Sequence, residues 1–196
     1  MRVAIFDLET RKLADEVEGG WDAIKRGEGG ITAVAVWDTK HKRMALYDEH
    51  TIEACAMHLE AADLVVGYNS ASFDIPIIEG VLGRKLRLKH SFDILISVWE
   101  ALRARGDRKV KGNKLDEVAR RTIGRGKTGS GAMAPELARQ GRWAELFSYC
   151  MNDTELTRDL FEHIVRTGGV NDLFGNHLTL KLPTWLMPKD EAAHGS

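Results

Sequence analysis

Acidic side chains at three separate places in the sequence could together bind a metal ion. The first two, Asp7 and Glu9, end the apolar segment RVAIFDLE. Residues two apart in a β-strand point to the same face, so these carboxylates would repel each other unless a cation lay between them. An Asp-x-Glu triplet alone is weak evidence, because about one is expected by chance in a chain with 29 acidic residues.

The second candidate, Asp74, lies among apolar residues in the segment GYNSASFDIPII. A carboxylate in such surroundings costs free energy unless a charge or a hydrogen-bond donor compensates it, which makes Asp74 a candidate ligand. Asp74 could instead be an ordinary residue of the first turn of a helix, where the helix dipole favours an acidic side chain.

The third place is the segment YCMND, in which Tyr149 and Asp153 are four residues apart. Residues at this spacing lie on the same face of a helix. That face is otherwise apolar, so Asp153 borders the core; its apolar residues are Leu146, Cys150, Leu156 and Leu160. Asp153 could also be a solvated surface charge, and this segment alone leaves both interpretations open.

The three segments are more informative together than separately. They fall where an α/β sheet would bring them together: at the end of the first strand, after the next parallel strand, and on a late helix. Four carboxylates in one place suit hard divalent cations such as Mg²⁺ or Mn²⁺, and no set of His and Cys residues favours zinc. The sequence therefore predicts a site for divalent cations.

The elements that must position these side chains follow from hydrophobic periodicity. The predicted strands are 2–9, 31–38, 43–49, 63–69 and 90–95, and a long helix is predicted at 142–167. The Gly-rich stretch 10–30 is predicted to be a loop, and HLTLKLPTW near the end an edge strand. Three antiparallel strands followed by parallel α-β units predict an α/β fold, a ribonuclease H-like mixed sheet of five or six strands flanked by helices.

Composition and localisation signals are those of a globular intracellular domain. The 196 residues are 43% hydrophobic and 29% charged. No apolar run is long enough to cross a membrane, and the first residues do not resemble a signal peptide. Cys55 and Cys150 are far apart and are predicted to be buried, reduced thiols. We expect a cytoplasmic protein.

Charge is distributed unevenly along the chain. From Arg84 to Lys127 there are 14 basic and 5 acidic residues, although the net charge of the whole chain is −1. Such asymmetry indicates an anionic ligand, often nucleic acid, or else a pair of solvated helices. We call residues 103–127 the basic region.

The segments FDLET, GYNSASFD and YCMNDTEL resemble the three motifs of the DnaQ-like, DEDD-type 3′–5′ exonucleases. Tyr149, four residues before Asp153, is similar to the DEDDy branch, which includes ribonuclease D and the proofreading domains of family B DNA polymerases. The residues of the second motif, GYNSASFD, are most similar to those of the family B proofreading domains and of stand-alone YprB-like exonucleases. The resemblance covers about Arg2 to Arg166.

This resemblance implies a metal-dependent catalytic site. Asp7 would bridge two divalent cations, Mg²⁺ or Mn²⁺, and Glu9 and Asp153 would complete the position that holds the nucleophilic water. Asp74 would support the second cation through water molecules. Because the intrinsic pKa of tyrosine is about 10, too high for an efficient general base, the Tyr149 hydroxyl would orient that water.

The resemblance also implies contacts with the substrate. Leu8 and Thr10 would line the pocket of the terminal nucleotide, and Asn69 and Phe73 would flank the penultimate one. Phe73 could equally be a simple core residue. The basic region, with Lys127 in its Gly-rich loop, would follow the phosphate backbone by charge.

The function expected from the sequence is therefore a 3′–5′ exonuclease that hydrolyses 3′ ends of single-stranded DNA or RNA and releases nucleoside 5′-monophosphates. The exonuclease domain would be 1–170, and 171–196 would be an extension with an edge strand and a disordered tail. No polymerase domain accompanies the motifs, so we expect a stand-alone enzyme and not proofreading in cis. The alternative is a ribonuclease H-like nucleic-acid-binding module without catalysis.

Overall fold

Five strands form one mixed sheet in the computed structural model, which describes residues 1–108, 110, 112–127, 129 and 133–186. The strands are β1 (Val3–Thr10), β2 (Ile31–Asp38), β3 (Arg43–Tyr47), β4 (Leu64–Gly67) and β5 (Ser91–Asp93). Their spatial order is β3-β2-β1-β4-β5. The pairs β1–β2 and β2–β3 are antiparallel, and β1–β4 and β4–β5 are parallel. The predicted ribonuclease H-like α/β fold is confirmed, with five strands in the sheet.

Helices pack on both faces of this sheet. They are α1 (Gly20–Lys25), α2 (Ile52–Glu60), α3 (Asp74–Leu82), α4 (Ile94–Arg105), α5 (Leu115–Ile123), α6 (Met133–Arg139) and α7 (Trp143–Thr167). On β1, Ile5 packs with residues of α4, α5 and α7, whereas Phe6 packs with residues of α2 and α3. Because side chains alternate along a strand, Asp7 and Glu9 lie on the same side as Ile5 and face α7.

The segment 10–30 is more ordered than the predicted loop. It contains a 3-10 helix (Ala14–Glu16) and then α1, in which Ile24 is buried in the core. The segment runs so close to α3 that a Cβ added to Gly80 would lie 2.3 Å from the backbone carbon of Arg26. The loop prediction was wrong because glycines and charges do not reveal a contact with another helix.

The C-terminal strand pairs in a separate sheet. β6 (Gly169–Asn171) and β7 (His177–Thr179) are antiparallel to each other, so the predicted edge strand does not join the five-stranded sheet. Leu178 and Leu180 are buried in the same core as Ile5, which attaches this segment to the domain. The predicted disordered tail, AAHGS (192–196), lies outside the described residues.

Two smaller predictions concern cysteines and membranes. Cys55 and Cys150 are both buried and free of a disulfide, as predicted. In the described ranges of the chain, no helix is long and apolar enough to cross a membrane.

Candidate metal and nucleic-acid site

The strand β1 carries two carboxylates that face α7, next to two alanines of β2. Asp7 pairs with Ala35 of β2, and Glu9 pairs with Ala33. Both alanines are fully buried and pack in a small core beneath the first half of α7. Their short side chains allow the helix to lie close to the strand that carries the carboxylates.

Hydrogen bonds from α7 to the sheet backbone set the position of the helix. The Cys150 thiol donates to the carbonyl oxygen of Asp7 (3.5 Å). The Thr154 hydroxyl donates to the carbonyl oxygen of Ala35 (3.3 Å) and to that of Cys150 (3.0 Å). Asp153, between these two donors in sequence, is thereby held beside the end of β1.

Three of the four predicted ligands form a compact carboxylate cluster. Asp7, Glu9 and Asp153 each place one carboxylate oxygen within 4.8 Å of the others. Glu9 is 8% exposed and Asp153 is fully buried. Asp7 is half-buried, and so many acidic oxygens at this distance, with two of the three carboxylates shielded from bulk water, require a cation or protons.

Burial sets the proton affinity of this carboxylate cluster. Burial and then repulsion from Glu9 raise the pKa of Asp7 well above its usual value. Burial and repulsion from Asp153 raise the pKa of Glu9 to about 8. Burial also raises the pKa of Asp153, although Lys127 opposes this shift. Without a bound cation, the site therefore keeps protons that exposed carboxylates have lost at neutral pH.

Lys127 reaches into the cluster from the loop after α5. Its ammonium nitrogen donates to one oxygen of Asp153 (2.5 Å) and lies 5.8 Å from the centre of the Tyr149 ring. Asp116 accepts a hydrogen bond from the backbone N–H of Lys127 (2.7 Å) and so fixes the loop. The other oxygen of Asp153 is buried without a hydrogen-bond partner among the described residues. One ligand atom of the cluster is therefore uncommitted.

Asp74 lies close to the carboxylate cluster but outside its 4.8 Å limit. It begins α3, is 4% exposed, and has a pKa raised by burial to about 7, an effect that the backbone amides of Asp74 and Leu8 oppose. The turn before it is tight, because a Cβ added to Gly67 would lie 2.4 Å from the Cβ of Ser70. This turn brings Asp74 beside the end of β1.

The Tyr149 hydroxyl is buried and has no hydrogen-bond partner in the described part of the chain. Burial, and then the charges of Glu9 and Asp153, raise the pKa of Tyr149 above its usual value. The phenol therefore remains protonated at neutral pH and can donate a hydrogen bond to a group in the site.

Two cavities meet at the carboxylate cluster, and Asp7, Tyr68 and Lys127 line both of them. The first, of about 580 Å³, extends towards α5; it is also lined by Asn69, Leu95, Lys114, Leu115, Asp116, Arg120 and Gly129. The second, of about 350 Å³, extends towards α1; its other residues include Leu8, Glu9, Thr10, Trp21, Phe73 and Asp74. We call them the α5 cavity and the α1 cavity.

All five predicted substrate contacts line one of these cavities. Leu8, Thr10 and Phe73 line the α1 cavity, Asn69 lines the α5 cavity, and Lys127 lines both. Phe73 packs against the core and also lines the cavity, so both interpretations of this residue stay open.

Much of the positive charge of the basic region is paired within the domain. Arg105 pairs with Asp107 and Asp172, and Arg125 pairs with Asp159. Arg120 pairs with Asp116 but still lines the α5 cavity beside the exposed Lys114. Lys109 and Lys111 lie outside the described residues. The positive charge that faces the site is thus smaller than the number of basic residues in the basic region.

Several residues of the site were not predicted from the sequence. Asp93 at the end of β5 accepts backbone N–H groups of Asn69 (3.0 Å) and Ala71 (2.9 Å), and so holds the loop before α3. Its only sequence signal, an acidic residue before a helix, is that of an ordinary N-cap. Tyr68 and Trp21 line the cavities through tertiary contacts that no local pattern reveals.

Comparisons with known proteins place the fold. No protein-family model and no curated protein matches the sequence. Among solved structures, the chain is similar to the family B DNA polymerase from the hyperthermophilic archaeon Pyrobaculum calidifontis, with a TM-score of 0.62 and 19% sequence identity. The match covers 84% of this chain and 24% of the polymerase, so the chain spans about a quarter of the length of that protein.

Proposed function

We propose that this protein is a metal-dependent 3′–5′ exonuclease acting on single-stranded DNA or RNA. The carboxylate cluster of Asp7, Glu9 and Asp153 at the meeting point of two cavities carries this proposal. A cluster of carboxylates suits hydrolysis of a phosphodiester, because cations held there neutralise the phosphate. The structural similarity to a DNA polymerase agrees with a nucleic-acid substrate.

The residues fit divalent cations such as Mg²⁺ or Mn²⁺. The donors are all carboxylate oxygens, the Asp153 oxygen without a partner is buried, and the raised pKa values indicate a deficit of positive charge. Asp7, Glu9 and Asp153 would hold one cation, and Asp7 with Asp74 the second. When bound, the two cations would supply Lewis-acid activation of water and stabilisation of the leaving oxygen.

The other side chains would bind and orient the reactants. Tyr149 would donate its hydroxyl hydrogen to the attacking water and fix its direction. Lys127 would leave Asp153 when a cation enters and would then contact a phosphate of the bound strand. The α1 cavity would hold the terminal nucleotide and the α5 cavity the chain that leads to it, with Asn69 at the penultimate unit.

A degradation assay tests this function. Matched single strands of DNA and RNA, labelled at the 5′ end, are incubated with Mn²⁺ or Mg²⁺ and with EDTA. We expect shortening from the 3′ end, lost in EDTA and in Asp7→Asn but unchanged in Glu162→Gln, which alters an exposed carboxylate of the same α7 helix. A strand with a blocked 3′ end should persist; its internal cleavage would contradict an exonuclease.

The ion pair of Lys127 with Asp153 favours one second candidate, a nucleic-acid-binding module without catalysis. In such a module the lysine would neutralise the site permanently. Tight binding of single strands by the wild-type protein, with no degradation in any divalent cation and no change in Asp7→Asn, would establish this alternative.

A further inference from the structure

Trp21 is an exposed aromatic side chain at the mouth of the α1 cavity. It is 60% exposed, yet its ring packs edge-to-face against Phe73 with 5.8 Å between centroids and 71° between planes. The same cavity contains Asp7, Glu9 and Asp74. An isolated exposed tryptophan on a protein surface needs no explanation, but this one forms a wall of the cavity that reaches the carboxylate cluster.

Other residues attach α1 to the domain. Ala23 and Ile24 are buried, and the Gly27–Gly80 contact brings the segment against α3. Arg11 and Lys12 donate backbone hydrogen bonds to the carbonyls of Gly30 and Gly29 (both 3.1 Å), which close the base of the segment. The indole of Trp21 is therefore presented on a fixed support and is not needed as the main anchor of the helix.

We propose that Trp21 stacks on the 3′-terminal base of a bound strand, with α1 as the base-side wall of the α1 cavity. This inference rests on the proposed function, since it assumes that a 3′ end enters beside Asp7. An aromatic ring can stack on the π face of every base. The contact would therefore require a terminal base but would not distinguish one base from another. The edge-to-face contact with Phe73 restrains the indole ring.

A binding experiment with an abasic end isolates this contact. Short single strands that end in either a normal nucleotide or an abasic one are bound to the protein in EDTA, where no hydrolysis is expected. Alanine substitution of a residue that stacks on a base typically costs about 1–3 kcal/mol, which is about a 5- to 150-fold loss of affinity. We expect Trp21→Ala to show a loss in this range with the normal end and no loss with the abasic end.

Two further variants provide controls. Trp21→Phe keeps a smaller ring and should lose less affinity than Trp21→Ala. Trp143→Ala removes a tryptophan of similar exposure that lines neither cavity and should match the wild type on both strands. If Trp21→Ala does not fold, quenching of tryptophan emission by the normal end but not by the abasic end, lost in Trp21→Phe, gives the same answer.

Each result is decisive for Trp21. Equal affinity of Trp21→Ala and wild type for the normal end, or an equal loss on both ends, would overturn the stacking contact. Failure of the exonuclease proposal would look different: the wild type would degrade nothing, while the dependence on the terminal base could still be measured in EDTA. Absence of any binding by the wild type would overturn both.

Discussion

At the scale of single residues, the carboxylate cluster couples protons, cations and stability. The folded protein raises the pKa of Glu9 from 4.5 to about 8 and that of Asp74 from 3.8 to about 7. Between the lower and the higher pKa of each of these groups, the folded state holds a proton that the unfolded chain has released. These two groups therefore make the free energy of unfolding in the absence of cations fall as the pH rises through this interval.

We expect the free energy of unfolding in EDTA to fall between about pH 5 and pH 8 by about 1.4 kcal/mol per pH unit for each extra bound proton, and the melting temperature to fall with it. Mn²⁺ should reduce this slope, because it stabilises the ionised carboxylates. Glu9→Gln in EDTA should also show a smaller slope. Melting curves at several pH values test this, and a stability that rises with pH in EDTA would contradict the environment assigned to these carboxylates.

Substitution of Tyr149 should lower the activity less than substitution of Asp7. Tyr149→Phe removes a hydroxyl that orients water, whereas Asp7→Ala removes the central ligand of the site. We expect a partial loss of turnover in Tyr149→Phe, of about 10- to 100-fold from one lost hydrogen bond to the reacting group, and a near-complete loss in Asp7→Ala. Single-turnover rates together with Mn²⁺ affinity test this. Complete loss in Tyr149→Phe with unchanged Mn²⁺ affinity would make the phenol the base.

At the scale of elements, the position of α1 depends on the close contact between its segment and α3. Gly80→Ala would place a methyl group 2.3 Å from the backbone carbon of Arg26 and must displace one segment. We expect lower stability together with weaker binding of base-bearing 3′ ends, because Trp21 moves with α1. Thermal unfolding and strand affinity are measured on the same preparation.

Gly83→Ala is the matched control for this variant. Gly83 ends α3 with a φ of +65° and has open space around it, so alanine there costs about 1 kcal/mol of strain and displaces nothing. It should lower stability without changing strand affinity. Equal effects of both variants on strand affinity would show that the contact between the α1 segment and α3 does not position Trp21 at the α1 cavity.

How far the sequence predicts each element depends on the range of its interactions. The two-residue spacing of Asp7 and Glu9 and the four-residue spacing of Tyr149 and Asp153 are local, and the structure keeps both pairs on the expected faces. Burial of Ile24 arises from packing against other helices, so 10–30 was predicted to be a loop. The pairing of β7 with β6 likewise could not be foreseen, because an alternating segment does not specify its partner.

At the scale of the whole molecule, charge near the α5 cavity should control binding of single strands. Each lost phosphate contact lowers the dependence of affinity on salt, expressed as the slope of log K against log salt, by about 0.7 for a single strand. We expect such a decrease in Lys114→Ala, which removes an exposed charge from the α5 cavity. Lys40→Ala, beyond the opposite end of β1, should leave the slope unchanged.

Ion pairs within the domain reduce the positive charge that the basic region offers to a bound strand. Arg105, Arg120 and Arg125 are partly neutralised by carboxylates of the domain. We therefore expect modest affinity that depends on the 3′ end, and weak binding to internal parts of long strands. Comparing circular with linear single strands measures this difference, and equal affinity for both would indicate that the backbone charge alone determines binding.

The most direct test of the proposed exonuclease is the identity of its product. Single strands are degraded with Mn²⁺ in water enriched in heavy oxygen, and the products are analysed by mass spectrometry. Attack of water on the terminal phosphodiester at the carboxylate cluster should give nucleoside 5′-monophosphates that carry one heavy oxygen on phosphorus, and Asp7→Asn should give none. Products with a 3′-phosphate or a cyclic phosphate, or no product from the wild type, would contradict it.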